Sequence, residues 1–322
     1  MRALLGIDYP VIQAPIGSAS TAELAAAVSN AGALGSLAVS WREPHDVRRL
    51  VEQTEALTTR SFAVNVVLRW DQHRRVAVAL ETGAKLVWTS WGDPAPYAGP
   101  VHAAGALLIH TVGSAEEAER AVAEGVDLLV LQGAEAGGHV CGAASWQSLL
   151  PEVRRGAAGV PIVVAGGIAD GRDVARALAA GADGACLGTR FVCAAEAAAA
   201  PEYQNAIIRA KPGDTVLTTL YDKGWPEAPH RVIRNSTVRA WEAAGCPEPG
   251  NRPGERDVVA TAADGTPVER YSDVIPTRGV SGRLEELALY AGESAARIGE
   301  VLPAAEIVAR LVHQAGLSRG SS

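Results

Sequence analysis

Between residues 11 and 195 the hydrophobic positions fall into two alternating textures. Short apolar runs at 11–14, 34–37, 62–66, 86–89, 106–111, 127–132, 161–165 and 184–188 end in Gly, Ser, Thr or Asn, and Ala-rich stretches follow them. Each run is continuous rather than alternating, which is the pattern of parallel strands covered on both faces. The stretches between them carry helix signals. Ser20-Thr21-x-Glu23 and Ser114-x-Glu116-Glu117 are starts, and Gly32, Gly83, Gly125 and Gly181 each follow a last turn. Thr82-Gly83-Ala84-Lys85-Leu86, Glu124-Gly125-Val126-Asp127-Leu128 and Ala180-Gly181-Ala182-Asp183-Gly184 repeat one helix-stop-strand unit. Eight strands alternating with helices predict an α/β fold, a (β/α)8 TIM barrel. A doubly wound open sheet is the alternative. It would carry G-x-G-x-x-G after its first strand, whereas this strand runs into Gln13-Ala14-Pro15-Ile16-Gly17.

Beyond residue 200 the rhythm breaks. Residues 201–245 read as helical with aromatics, and 245–282 hold 11 Gly or Pro in 38 positions. Helical texture returns over 284–296, and Pro303 opens a final amphipathic helix through Ile307, Val308, Leu311 and Val312. The expected organisation is a barrel over 1–200 and 284–322, with a smaller, mostly helical segment at 201–283 on the substrate side.

Composition narrows the function classes. The chain has 322 residues, 48% of them hydrophobic and 20% charged, so it is globular rather than disordered. A net charge of −7 argues against nucleic acid as partner. No apolar stretch reaches the roughly 18 residues a bilayer span needs, and Asp8 and Pro10 interrupt any signal-like start. Cys141, Cys186, Cys193 and Cys246 form no C-x-x-C pair and no zinc-like spacing with histidine, and Cys186 and Cys193 lie in segments that read as buried. A cytoplasmic protein without metal is the expectation. A homodimer is common for barrels of this size, though nothing in the sequence selects it.

In such barrels the chemistry sits at the C-terminal strand ends. There, Ala165-Gly166-Gly167-Ile168-Ala169-Asp170-Gly171 and Leu187-Gly188-Thr189-Arg190 are adjacent Gly-rich turns, each feeding a helix. Bare backbone N–H groups and helix N-termini would cradle a phosphate there; tight turns without a ligand are the alternative. The loop after the sixth strand, Gln132-Gly133-Ala134-Glu135-Ala136-Gly137-Gly138-His139, aims a histidine at the barrel mouth. Histidine can exchange a proton near neutrality, or simply bond a loop carbonyl. Glu135 is either a base or a loop cap. His110 is a second candidate, while His45, His73, His102, His230 and His313 read as surface residues. Asn65 and Gln132 each offer a donor and an acceptor, as a flavin ring edge requires, or tie down their own loops.

At these residues the chain resembles the FMN-dependent nitronate monooxygenases, formerly called 2-nitropropane dioxygenases. The matching segments are Gln13-Ala14-Pro15, Gln132-Gly-x-Glu-Ala-Gly-Gly-His139, Ala165-Gly-Gly-Ile-Ala-Asp-Gly171 and Leu187-Gly-Thr-Arg-Phe191, with Gly224-Trp225-Pro226 and Tyr290-Ala-Gly292 further on. The resemblance implies FMN as cofactor and His139 as the catalytic residue, acting as base or as anion stabiliser. It implies flavin contacts from Asn65, Gln132 and Gly137, and phosphate-end contacts from Gly167, Cys186, Leu187, Gly188 and Thr189. Ala14, Pro15 and Ile16 would lie against the flavin face. Trp225 or Tyr221 would exclude water if the segment folds over the mouth; core packing is the alternative for both. Ile16, Thr111 and Val140 depart from residues frequent in the family, which bears on substrate more than on cofactor.

The implied activity is oxidation of an alkyl nitronate, a nitroalkane or a similar carbon acid by dioxygen to a carbonyl compound and nitrite. Two other readings stand beside it: an FMN-dependent NAD(P)H:quinone or enoyl-thioester reductase on the same barrel, and a non-enzymatic barrel that binds a phosphorylated ligand.

Overall fold

The structure, a computed structural model, describes residues 1–318; the last four positions of the expected C-terminal segment lie outside the described residues. Eight parallel strands form the sheet: β1 (Val11–Gln13), β2 (Gly35–Ala38), β3 (Phe62–Val67), β4 (Leu86–Ser90), β5 (Leu107–Val112), β6 (Leu128–Gln132), β7 (Ile162–Ala165) and β8 (Gly184–Leu187). Neighbours in space are neighbours in sequence, β8 pairs back onto β1 through Ile12 and Cys186, and a parallel bridge from Ile12 to Leu34 closes the ring. This is the expected (β/α)8 barrel.

Strand alternation sorts the core into two layers. Ile12, Trp88, Ile109, Val130, Val163 and Cys186 fill the barrel interior. Leu37, Val64, Val87, Leu108, Leu131, Val164 and Leu187 face the surrounding helices. The helix signals hold: Thr21 accepts from the Leu24 N–H and Ser114 from the Glu117 N–H. Gly32, Gly83, Gly125 and Gly181 all have the positive φ of a helix stop.

The segment 201–283 is mixed rather than mostly helical. Its helices, Pro201–Arg209 and Ser236–Ala243, are joined by strands Thr215–Thr218 and His230–Ile233. A second small sheet holds Val258–Thr261 between Pro267–Glu269 and Ser281–Gly282. Leu220, Tyr221, Val232, Val238 and Tyr271 pack into a satellite core against the first of these sheets, and Val259, Ala260, Val268, Leu284 and Leu287 form another at the second. Residues 284–296 contain short 3₁₀ turns in place of a helix. The closing helix, Ala304–Gln314, is where Pro303 predicts it. Among the described residues no helix is long and apolar enough to cross a membrane.

Candidate active site

The C-terminal ends of the strands open into one cavity of about 640 Å³. Its floor is barrel interior, with Trp88, Val130 and Cys186 among the lining side chains. The Trp88 indole is held by Thr111 Oγ1 at 2.8 Å. Ala14, Pro15, Ile16, Asn65, Gln132, Gly137, His139, Gly167, Cys186, Gly188 and Thr189 all line this cavity. Leu187 does not. One residue after the inward Cys186, strand alternation turns its side chain out into the helix layer, where it is buried.

The two Gly-rich turns supply bare backbone. Gly166 and Gly167 have φ of 123° and 66°, conformations that a side chain strains. The N–H groups of Gly166, Gly167, Gly188 and Thr189 donate to no protein acceptor among the described residues. Gly166, Gly167 and Gly188 are half-buried and Thr189 is buried, so these donors face the cavity with no protein acceptor. One part of the expected cradle is different. The helix Gly171–Ala179 is already capped by Asp170, which accepts from the Arg172 and Asp173 N–H groups, so its N-terminus is not free. On the β7 side the donors left free are those of the turn itself.

His139 owes its position to two devices. Gly138 and His139 form a two-residue strand paired antiparallel with Arg231 and His230. The Gln132 amide then clamps the loop, Nε2 donating to the His139 carbonyl at 3.1 Å and Oε1 accepting from the Cys141 N–H at 2.8 Å. One N–H and one oxygen lone pair of Gln132 are thus committed to the loop, and the side chain still lines the cavity. Asn65 keeps one end free: its Nδ2 donates to the Trp88 carbonyl at 3.0 Å.

The His139 ring stacks on Trp225 at 4.0 Å and 22°. Trp91, His230 and Tyr290 complete an aromatic cage around it. Its Nε2 is buried without a hydrogen-bond partner among the described residues. Burial, helped by His230, pushes its pKa down to about 3, so the imidazole is neutral near pH 7. His230, expected at the surface, is fully buried. Its Nδ1 faces the Ala228 carbonyl and its Nε2 accepts from the Tyr221 N–H. His110 is buried against Thr89 and does not line the cavity.

Glu135 is not at the cavity. Its Cγ would lie 3.0–3.1 Å from a Cβ at Gly166 or Gly167, and Oε1 accepts from the Trp146 N–H. It wedges the Gly166-Gly167 turn from a second, polar cleft that it shares with Arg176, Arg231 and Glu293. Trp225 and Tyr221 part company as well: Trp225 lines the cavity, while Tyr221 is core, bonded to Asn235.

Two charged groups on the cavity wall, Asp273 and Arg42, carry no role in the sequence analysis. Asp273 lines the cavity from the Gly-rich excursion and has no ion-pair partner among the described residues. Its carboxylate fits against Gly224, whose φ is 113°; a Cβ there would meet Oδ1 at 2.3 Å. Burial raises its pKa to about 6. Nothing periodic surrounds it in sequence. Tyr290, whose hydroxyl reaches the Asp273 carbonyl at 3.4 Å, was visible within its motif but carried no assigned role.

Comparison with known proteins agrees with this geometry. A sequence profile described as nitronate monooxygenase matches residues 1–74 and 68–314. A nitronate monooxygenase of Paraburkholderia phytofirmans is 31% identical, covering 96% of this chain and 92% of that protein. The (3aS,4S,5R,7aS)-5-hydroxy-7a-methyl-1-oxo-octahydro-1H-indene-4-carboxyl-CoA dehydrogenase of Mycobacterium tuberculosis is 32% identical over 76% of this chain and 68% of its own length. Among solved structures, FabK from Thermotoga maritima superposes with a TM-score of 0.84 at 29% identity, covering 98% of this chain and 95% of its own. A nitroalkane oxidase from Streptomyces ansochromogenes gives 0.79 at 26%, covering 98% and 97%.

Proposed function

The chain belongs to the nitronate monooxygenase family, a family of flavin enzymes, and from that premise we propose that it binds FMN and uses dioxygen to oxidise an alkyl nitronate or nitroalkane to a carbonyl compound and nitrite. One observation carries the reading. A cluster of unpaired backbone N–H groups at Gly166, Gly167, Gly188 and Thr189 shares a single cavity with the caged imidazole of His139.

Those N–H groups fit the terminal phosphate of FMN, and the free oxygen of Asn65 suits a donor on a flavin edge. Ala14, Pro15 and Ile16 supply an apolar wall, and Gly137 a close backbone approach. We assign Gln132 to holding the His139 loop, with its second N–H left to meet the flavin edge. When bound, the flavin supplies an electron acceptor that the side chains lack.

A neutral His139 is a weak base, so its role is a hydrogen bond to the nitro oxygens. Asp273, with a pKa of about 6, is the group that can take the α-proton of a neutral nitroalkane. Trp225 and the rest of the 201–283 segment exclude water from the reacting carbon. The buried Cys186 and Cys193 thiols, Cys193 pushed up to about 12, suit a cytoplasmic enzyme.

Membership of this family makes the chain an enzyme, and the ligand-storage reading is set aside. The reductase reading keeps one support, the similarity to a dehydrogenase whose name specifies a CoA thioester. The test is direct: purified protein should be yellow, release FMN on denaturation, and form nitrite from propyl-1-nitronate with oxygen uptake. Rapid bleaching by NADH or NADPH without nitrite formation would favour the reductase instead.

A further inference from the structure

The cavity does not end at His139. A row of indoles runs from it to the surface: Trp225 lies 5.0 Å from Trp91 and 5.2 Å from Trp70, and Trp70 lies 5.8 Å from Trp41, all edge to face. Four of the chain's seven tryptophans stand in this one row. Its outer members are left in water, Trp41 at 55% and Trp70 at 36% exposure. Large apolar rings kept exposed beside a cavity mark a recognition surface, and indoles lose little conformational freedom on binding.

Next to Trp41, Arg42 also lines the cavity. Its guanidinium makes one protein hydrogen bond, from Nε to the Ala38 carbonyl at 3.4 Å, and pairs with no carboxylate among the described residues. Asp46, the acid whose charge acts on it, is engaged with Arg49 at 2.6 Å. Partial burial outweighs the attraction of Asp46 and lowers its pKa. The chain is acidic overall, with net charge −7, so a general positive field does not account for attraction of anions here. Among the described residues the other unpaired charge on the cavity wall is the Asp273 carboxylate. An anionic substituent is therefore repelled at Asp273 and attracted at Arg42.

We propose that Trp41, Trp70 and Arg42 form a substrate subsite at the cavity mouth that takes an aryl group bearing a carboxylate, so that the preferred substrate is an aromatic carbon acid charged at the end away from the reacting carbon. This rests on the reaction assigned to the cavity above, and the test separates the two.

The flavin-loaded enzyme is assayed with the nitronates of nitropropane, phenylnitromethane and 4-(nitromethyl)benzoate. In W41A, kcat/KM should fall about tenfold or more for both aryl substrates and stay within about twofold for the propyl one. R42Q should lower only the carboxylated substrate, by a similar factor. In parallel, binding of 2-naphthoate is followed by quenching of tryptophan fluorescence, and it should weaken in both variants. If naphthoate binding shows this dependence but no nitronate is oxidised, the subsite stands and the assigned reaction fails. If propyl nitronate is oxidised but neither variant changes aryl discrimination or naphthoate binding, the subsite fails alone. Flavin reduction by NADH that W41A slows, with aryl turnover untouched, would give the row to a nicotinamide dinucleotide and also overturn the proposal.

Discussion

Replacing Asp273 by Asn should move nitronates and nitroalkanes in opposite directions. A sphere of 640 Å³ is about 11 Å across. At that separation an ionised Asp273 repels an anion by about 1.5 kcal/mol at an effective dielectric of about 20, or about tenfold in binding. Above pH 7, where a carboxyl with a pKa of about 6 is ionised, D273N should lower KM for propyl-1-nitronate by about that factor. For neutral nitropropane the variant loses the proton acceptor, and kcat/KM should fall by about 100-fold or more. Below pH 5 the two proteins should treat the nitronate alike. Stability carries the same signature. The folded pKa lies above the unfolded one, so the folded state holds its proton more tightly, and stability falls as pH rises from about 4 to 6. From the ordinary 3.8 of an aspartate to about 6, that loss is about 3 kcal/mol, which the Asn variant does not suffer. Urea unfolding at pH 4, 5, 6 and 7.5 should show the variant gaining relative to the parent across that window. Parallel stability curves, together with an unchanged pH profile of KM, would refute the placement of an unpaired carboxylate in the cavity.

Other perturbations have equally definite outcomes. Gln132→Leu cuts both ties to the His139 loop and should lower kcat about 10–100-fold while leaving FMN content unchanged, read from steady-state rates and visible absorbance. Gly137→Ala puts a Cβ 2.4 Å from the Gly292 nitrogen and should cost about 1–3 kcal/mol in thermal unfolding. Trp225→Ala uncovers His139, whose pKa should climb from about 3 toward the ordinary value of about 6.5, followed by NMR titration of the imidazole. Gly167→Ala, at φ 66°, should weaken FMN more than riboflavin in reconstitution of the apoprotein, because the phosphate turn is what changes.

The barrel was legible because its strands are buried on both faces and write that burial as continuous apolar runs, each within a residue or two of its observed span. The same continuity hides which way a side chain points. Cys186 and Leu187 read alike in sequence, and only the strand's alternation sends one inward and the other out. The segment 201–283 was harder for a different reason. Its small sheets depend on remote pairings, such as Gly138–His139 with a strand some 90 residues away, and those leave no local period. His230 was misplaced at the surface for that reason. Gln132 and His139 were found, but the clamp between them was not, since it needs the loop to fold back on itself. Asp273 sits among glycines and prolines, where nothing in the pattern sets it apart from an ordinary turn carboxylate.

Anaerobic stopped-flow mixing of the flavin-loaded protein with propyl-1-nitronate is the most direct trial of a reaction centred on His139. The flavin absorbance should bleach in the parent, and at least about 100-fold more slowly in His139→Asn with the starting spectrum preserved. A parent flavin that stays oxidised, or an Asn variant that bleaches as fast, would contradict it.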